Sequence, residues 1–174
     1  MNKKIIALAI VAGSAFTSVA QAADGTINFT GTITDTACTV STATKNQTVD
    51  LGTVSKTAFA AAGDTAAPTK FSIVLQSCPT TVTNASVRFD GPIDSVNSNL
   101  LALTSATGNA AHVAVGIYEQ DASTLIPIAT KSASKPVSST ADTTLNFIAK
   151  YVATAAGVTS GPANAATNFT ISYP

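Results

Sequence analysis

The chain has 174 residues, of which 45% are hydrophobic and only 10% are charged, with nine acidic and nine basic side chains. A chain of this length can bury the core of one domain without metals or several disulfides. The balanced charge leaves no basic field for nucleic acid, and one His, one Glu and two Cys leave little material for catalysis. With 28 Thr and a positive mean hydropathy, the composition also excludes a disordered chain.

The first 22 residues have the pattern of a secretory signal peptide. Lys3 and Lys4 form a short positive region, Ile5–Phe16 is mostly apolar, and Ala20-Gln21-Ala22 supplies the small residues that signal peptidase accepts. Because the apolar run is too short to span a bilayer comfortably, a cleaved signal is favoured over a retained membrane helix. The mature chain is therefore expected to begin at Ala23.

Export determines how the two cysteines are interpreted. Cys38 and Cys78 are the only cysteines, and in an oxidising compartment such a pair is expected to form one structural disulfide. Metal binding is a poor alternative, since His112 is the only imidazole and the chain has no CxxC motif. No metal site and no cofactor site are predicted.

The dominant pattern of the mature chain is the alternation of apolar and polar residues, which is the period of a half-buried strand. Turn signals separate the alternating segments, for example Asp90-Gly91-Pro92 and Ser160-Gly161-Pro162. No segment carries a helical stripe, although Thr57–Ala62 could form a short turn of helix. Short Thr-rich strands that are separated by such turns predict an all-β sandwich. The predicted strands are residues 26–34, 48–52, 71–76, 87–89, 113–118, 145–151 and 169–173.

The predicted strand at residues 26–34 has an unusual position, because it lies at the N-terminus of the mature chain. Terminal segments usually fray unless something holds them, yet Gly25, Ile27, Phe29, Gly31 and Ile33 would all lie on one side of this strand. Two interpretations are open from the residues alone. The segment is an ordinary strand of a self-contained sandwich, or it is added to the sheet of another molecule.

Several segments together resemble a pilin of the chaperone–usher type, similar to the major subunit of type 1 fimbriae. The resemblance covers essentially the whole chain and rests on a combination of pieces that are individually weak. Gly161 stands fourteenth from the C-terminus and Tyr173 is penultimate, as in these subunits. The other matching segments are Thr26–Ile33, Ala37–Val40, Val49–Gly52, Phe71–Leu75 before Cys78, and Phe147–Tyr151.

The resemblance implies an immunoglobulin-like sandwich that lacks its last strand and is completed by donor-strand exchange. Residues 23–34 would be the N-terminal donor-strand extension and residues 35–174 the pilin domain. The donor residues would be Gly25, Ile27, Phe29, Gly31 and Ile33, and the groove edge would include Gly161, Phe169, Ile171 and Tyr173.

The resemblance also implies partners and a location. A periplasmic chaperone would first lend a strand to the groove and hold the terminal carboxylate with basic residues. At an outer-membrane usher, the extension of the next subunit would replace that strand, giving a fimbrium on the cell surface. Two features depart from the family's pattern. Pro174 has no N–H for a ladder bond, and Asp24 makes the outer part of the extension less apolar.

Other candidate sites are interpreted as structural. Glu119 and Asp121 are expected to form a solvated strand end rather than a catalytic pair, and Asp90, Asp94 and Asn97 a turn rather than a calcium loop. His112 is expected to be a surface or packed histidine, and no catalytic residue is predicted. The favoured function is a structural fimbrial subunit that polymerises head to tail for cell adhesion. The alternatives are a minor or tip-proximal adhesive subunit and, less favoured, a secreted β-sandwich enzyme.

Overall fold

The computed structural model of the protein describes residues 25–31, 33 and 37–174. The predicted signal peptide, residues 1–22, lies outside these residues, as do Ala23 and Asp24 at the start of the predicted extension. The chain divides into two units at the bond between Ile33 and Thr34. Among the described residues, no helix is long and apolar enough to cross a membrane.

Residues 37–174 fold into antiparallel strands with little helix. The helical elements are the short helix α1 (Thr42–Lys45) and a 3-10 turn at Lys56–Ala58, close to the helical turn expected at 57–62. The strands are β1 (Thr39–Val40), β2 (Thr65–Gln76), β3 (Asn84–Asp90), β4 (Val113–Glu119), β5 (Lys135–Pro136), β6 (Thr143–Ala153) and β7 (Asn168–Ser172).

The strands form two sheets that pack face to face. One sheet has the order β1-β2-β6-β4 and the other β5-β3-β7, and every paired strand is antiparallel. Alternate residues of both sheets point into one core between them, as the period of a strand requires. This arrangement confirms the predicted all-β sandwich of the immunoglobulin-like class. The largest side chains that are almost fully buried are Phe89, Phe147, Ile73, Leu75, Leu100 and Val87.

The strand predictions differ in their outcomes. The alternating segments at 71–76, 87–89, 113–118 and 145–151 lie in β2, β3, β4 and β6, and the segment at 169–173 lies in β7 except for Tyr173, which follows the strand. These predictions are confirmed. The prediction of a strand at 48–52 is wrong. There the Gly52 N–H donates to Asp50 Oδ1 at 2.8 Å and Gly52 has a φ of +69°, so the backbone turns locally instead of joining a ladder.

The expectation of a solvated strand end is wrong for Glu119, although Asp121 is exposed as expected. Glu119 is only 6% exposed, because both faces of β4 are covered. Its Oε1 accepts the Ala133 N–H at 2.6 Å, and its Oε2 lies 3.6 Å from Lys135 Nζ. The carboxylate therefore holds the segment that leads into β5. The exposed Asp121 has a lowered pKa because it accepts hydrogen bonds from Thr124 and Ser123.

Cys38 and Cys78 form a disulfide, which confirms the pairing expected from the sequence. Both residues are buried, and the bond joins the residue before β1 to the loop after β2. Because β1 pairs with β2 through only Thr39↔Gln76 and Val40↔Leu75, the bridge is the main restraint on the start of the domain.

We expect Cys38→Ser combined with Cys78→Ser to lower the free energy of unfolding by about 4 kcal/mol, because the bridge closes a loop of 40 residues in the unfolded chain. The measurement is urea denaturation of the purified chain, together with its level in the periplasm. A reductant should shift the wild-type midpoint to that of the variant and leave the variant unchanged. Equal midpoints for oxidised and reduced wild type would contradict this role.

Candidate assembly groove

An open groove runs along one side of the sandwich between two chain segments. Its walls come from residues 45–52 and residues 163–171, and its volume is about 1130 Å³. That volume exceeds the roughly 300–1,000 Å³ of small-molecule pockets, so the groove has the dimensions of a peptide site. The apolar side chains that line it are Val40, Val49, Leu51, Phe71, Ile73, Phe89, Leu101, Val115, Ile117, Phe169 and Ile171.

Strand β7 forms one long wall of this groove. It pairs with β3 on one side, with Phe89 opposite Phe169 and Val87 opposite Ile171. On its other side it pairs with no strand among the described residues. An edge of this kind presents a row of backbone donors and acceptors that a further strand can pair with. The groove therefore offers backbone hydrogen bonds and apolar contacts to the same occupant.

Three phenylalanines from different strands stabilise the centre of the core beneath the groove. The ring of Phe89 lies 5.2 Å from that of Phe147 and 6.0 Å from that of Phe71, both close to edge-to-face. Such pairs stabilise by about 0.5–1.5 kcal/mol beyond their buried area. Phe71 and Phe89 also line the groove, so its central part has a rigid aromatic floor.

A polar contact joins β6 to the wall formed by residues 163–171. The Tyr151 hydroxyl donates to the Ala163 carbonyl at 3.0 Å. Burial raises the pKa of Tyr151, and the negative charge of Asp50 raises it further. The phenol therefore stays protonated at neutral pH and keeps its donor role.

The predicted groove-edge residues lie in two different places. Phe169 and Ile171 line the groove. Tyr173 packs against the same core, where burial raises its pKa and a hydrogen bond from the Cys38 backbone lowers it. Gly161 lies outside the groove lining. A Cβ there would come within 2.2 Å of the Gly108 carbonyl oxygen, so this glycine serves the close packing of two loops.

The predicted donor segment is described at residues 25–31 and 33. It forms neither helix nor strand there, and its large apolar side chains are highly exposed: Ile27 by 80%, Phe29 by 93% and Ile33 by 101%. Within the described residues, no other part of the chain buries these three side chains. The role of the segment as a donor strand stays a prediction at this point.

Sequence reasoning missed one wall of the groove. Val49 and Leu51 contribute to it from a segment of irregular backbone, and residues 163–167 form the approach to β7. Half-buried aliphatic residues in irregular backbone carry no periodicity that would reveal them. The alternation of Val49 and Leu51 correctly predicts that both side chains lie on the same side of the backbone, but it wrongly predicts a strand there.

The other sites considered have structural roles. Asp94 Oδ1 accepts the backbone N–H groups of Val96 and Asn97, both at 2.9 Å, so the expected turn is confirmed for Asp94 and Asn97. For Asp90 it is wrong, because this residue ends β3 and pairs with Arg88 at 2.8 Å. His112 is exposed, and its Nδ1 lies 3.2 Å from the Gly157 carbonyl oxygen. Within residues 25–31, 33 and 37–174, no three His, Cys, Asp or Glu side chains gather as metal ligands.

Comparison with known proteins identifies the family. A family model described as fimbrial protein matches residues 27–174. The chain belongs to the fimbrial protein family. It is 40% identical to a probable major fimbrial subunit of Escherichia coli O157:H7, over 98% of this chain and 97% of that one. It is 39% identical to long polar fimbria protein A of Salmonella typhimurium, over 99% and 98% of the two chains.

Solved structures show the same fold. A type I fimbria protein of Burkholderia pseudomallei is 41% identical, with a TM-score of 0.61 over 86% of this chain and 97% of that one. The P pilus rod subunit has a TM-score of 0.66 at 22% identity, over 80% and 100% of the two chains. The chain is therefore a structural subunit of a surface fimbria, as the sequence predicted.

We expect Gly161→Ala to destabilise this fimbrial subunit by about 1–3 kcal/mol or more, because the new Cβ would overlap the backbone at Gly108 and Ala110. The matched control is Gly157→Ala. Gly157 has a φ of +76° but no atom near a new Cβ, so only backbone strain of about 1–2 kcal/mol applies. The midpoints of thermal unfolding measure both, and an equal shift for the two variants would contradict the packing role.

Proposed function

We propose that the subunits polymerise head to tail by donor-strand exchange, in which residues 23–34 of one subunit enter the groove of its neighbour. The observation that carries the proposal is the apolar groove beside the unpaired edge of β7. A strand placed there would pair its backbone with β7 and bury alternate side chains in the groove. The contact is heterologous and does not close, so repeated copies would give a fibre.

The exposed extension has the chemistry that such a groove requires. Ile27, Phe29 and Ile33 share one side of an extended strand, and Gly31 on the same side needs no pocket. Residues 25–33 would extend about 26 Å, which is comparable with the long wall that β7 and the residues before it provide. Phe29 is at the middle of this stretch, where an aromatic side chain can pack on Phe71 and Phe89 of the groove lining.

The energetics favour a stable joint. Burial of Ile27, Phe29 and Ile33 contributes about 1.5–3 kcal/mol each before the cost of ordering the segment. Backbone hydrogen bonds to β7 add roughly 1 kcal/mol each. Side-chain burial and backbone pairing require the same extended conformation of the donor segment. The cost of ordering the segment is therefore incurred only once for both contributions.

An empty groove would be an aggregation site, since it combines exposed apolar side chains with an open sheet edge. We therefore infer that a periplasmic chaperone fills the groove with one of its own strands before assembly. Basic residues of the chaperone would bind the carboxylate of Pro174, and an outer-membrane usher would be the place of exchange.

We expect Phe29→Asp to leave export intact and to abolish polymerisation, because a carboxylate buried in the groove without a partner costs several kcal/mol. The matched control is Asn28→Asp, which adds the same charge to the opposite side of the strand and should polymerise. The measurement is a denaturing gel of material sheared from cells, run with and without strong heating in acid.

Wild type and Asn28→Asp should give a ladder of multimers that collapses to one band only after heating in acid. Phe29→Asp should give monomer in both lanes. Normal ladders from Phe29→Asp, or monomer alone from wild type, would overturn the proposal.

A further inference from the structure

Two large apolar side chains are exposed on the loop that connects β3 to β4. Ile93 is 54% exposed and Val96 is 64% exposed, and within residues 37–174 no other large hydrophobic residue is so exposed. Exposed apolar groups that are held together on one loop indicate a contact surface. Ile93 also borders a shallow depression of about 360 Å³ that Ala102, Ala106 and Ala110 help to line.

The loop holds these side chains in a fixed conformation. Asp94 accepts two backbone N–H groups within the turn, and Asn97 Oδ1 accepts the Asn99 N–H at 3.1 Å. The Asp94 N–H donates to the Leu100 carbonyl at 3.0 Å. A loop organised in this way loses little conformational entropy when a partner covers it.

The loop and Cys38 lie at opposite ends of β7. At the start of β7, Gly91 packs so closely on Ala166 and Thr167 that a Cβ would meet both. At the other end, Tyr173 follows β7 and bonds the backbone of Cys38. In a head-to-tail fibre, the loop end of one subunit therefore faces the Cys38 end of the next.

This inference rests on donor-strand exchange. The short link between Ile33 and Cys38 limits where the body of the donating subunit can lie. Every ladder of the fold is antiparallel, and antiparallel pairing is the more stable per residue. An antiparallel donor strand would end with Ile33 near the start of β7. From Ile33 to Cys38 the chain spans at most about 18 Å, so the body of the donating subunit must lie against the loop end.

We propose that Ile93 and Val96 pack on a second copy of this chain, at the surface around its Cys38–Cys78 bridge. Residues 37–44 and 77–87 contain no charged side chain, and Asp94, the one charge of the loop, is turned to backbone N–H groups. Contact between these surfaces requires the desolvation of one carboxylate only, which already accepts two backbone N–H groups, and the cores of protein interfaces are depleted of charged residues. This second contact fixes the angle between consecutive subunits.

The direct test is photo-cross-linking in native fibres with benzoyl-phenylalanine in place of Val96. After cleavage of the strand joints by heating in acid, a covalent dimer should remain, and mass spectrometry should map it to residues 37–44 or 77–84 of the neighbouring copy. The same group in place of Asn146, which is exposed in the middle of a sheet face, should not reach these residues. Absence of a dimer from position 96, or a dimer that maps elsewhere, would overturn the inference.

A second test separates this contact from the strand joint. Ile93→Asp combined with Val96→Asp should keep the heat-sensitive ladder but lower the persistence length of the fibres, measured by electron microscopy, by at least threefold. Asn146→Asp should change neither. An unchanged persistence length in the double variant would overturn the second contact, whereas loss of the wild-type ladder would overturn donor-strand exchange itself.

Discussion

The unpaired backbone edge of β7 is the constraint on which the rest of this structure depends. Backbone donors and acceptors at this edge need hydrogen-bond partners, and the apolar side chains of the groove need to be shielded from water. The sandwich has a complete aromatic centre in Phe71, Phe89 and Phe147, so the incomplete part is confined to one side. The core itself is packed, and the proposed donor strand would supply the missing backbone pairing on that one side.

The sequence predicts the core strands because their side chains alternate between core and solvent. Strands β2 and β7 alternate in this way along most of their length, whereas Phe147–Ala149 of β6 and the whole of β4 are buried on both faces. That burial is also why Glu119 was misjudged. The end of a strand is often solvated, and only the three-dimensional structure shows that residues 133–135 cover this carboxylate.

The groove was harder to predict than the strands. Phe169 and Ile171 could be placed on its edge because β7 is regular, whereas Val49 and Leu51 belong to irregular backbone without a period. Gly161 illustrates a different limit. Its position near the C-terminus singled it out, but its physical role is a backbone contact with Gly108 that no pattern of side chains encodes. The extension differs from Gly161, because its sequence pattern is clear but no contact within the described residues shows what covers its apolar side chains.

The disulfide has a consequence for the fibre under tension. A pull on a subunit's extension reaches the domain at Cys38, because the chain leads there directly from Ile33. Strand β1 holds that point through two residue pairs only and would peel away under a modest load, taking Val40 out of the groove wall. The covalent link to Cys78 instead passes the load to the end of β2, a strand of 12 residues in the middle of its sheet. Under the proposed donor-strand exchange, a subunit would thus be stretched through its extension without opening the groove that holds the strand of its neighbour.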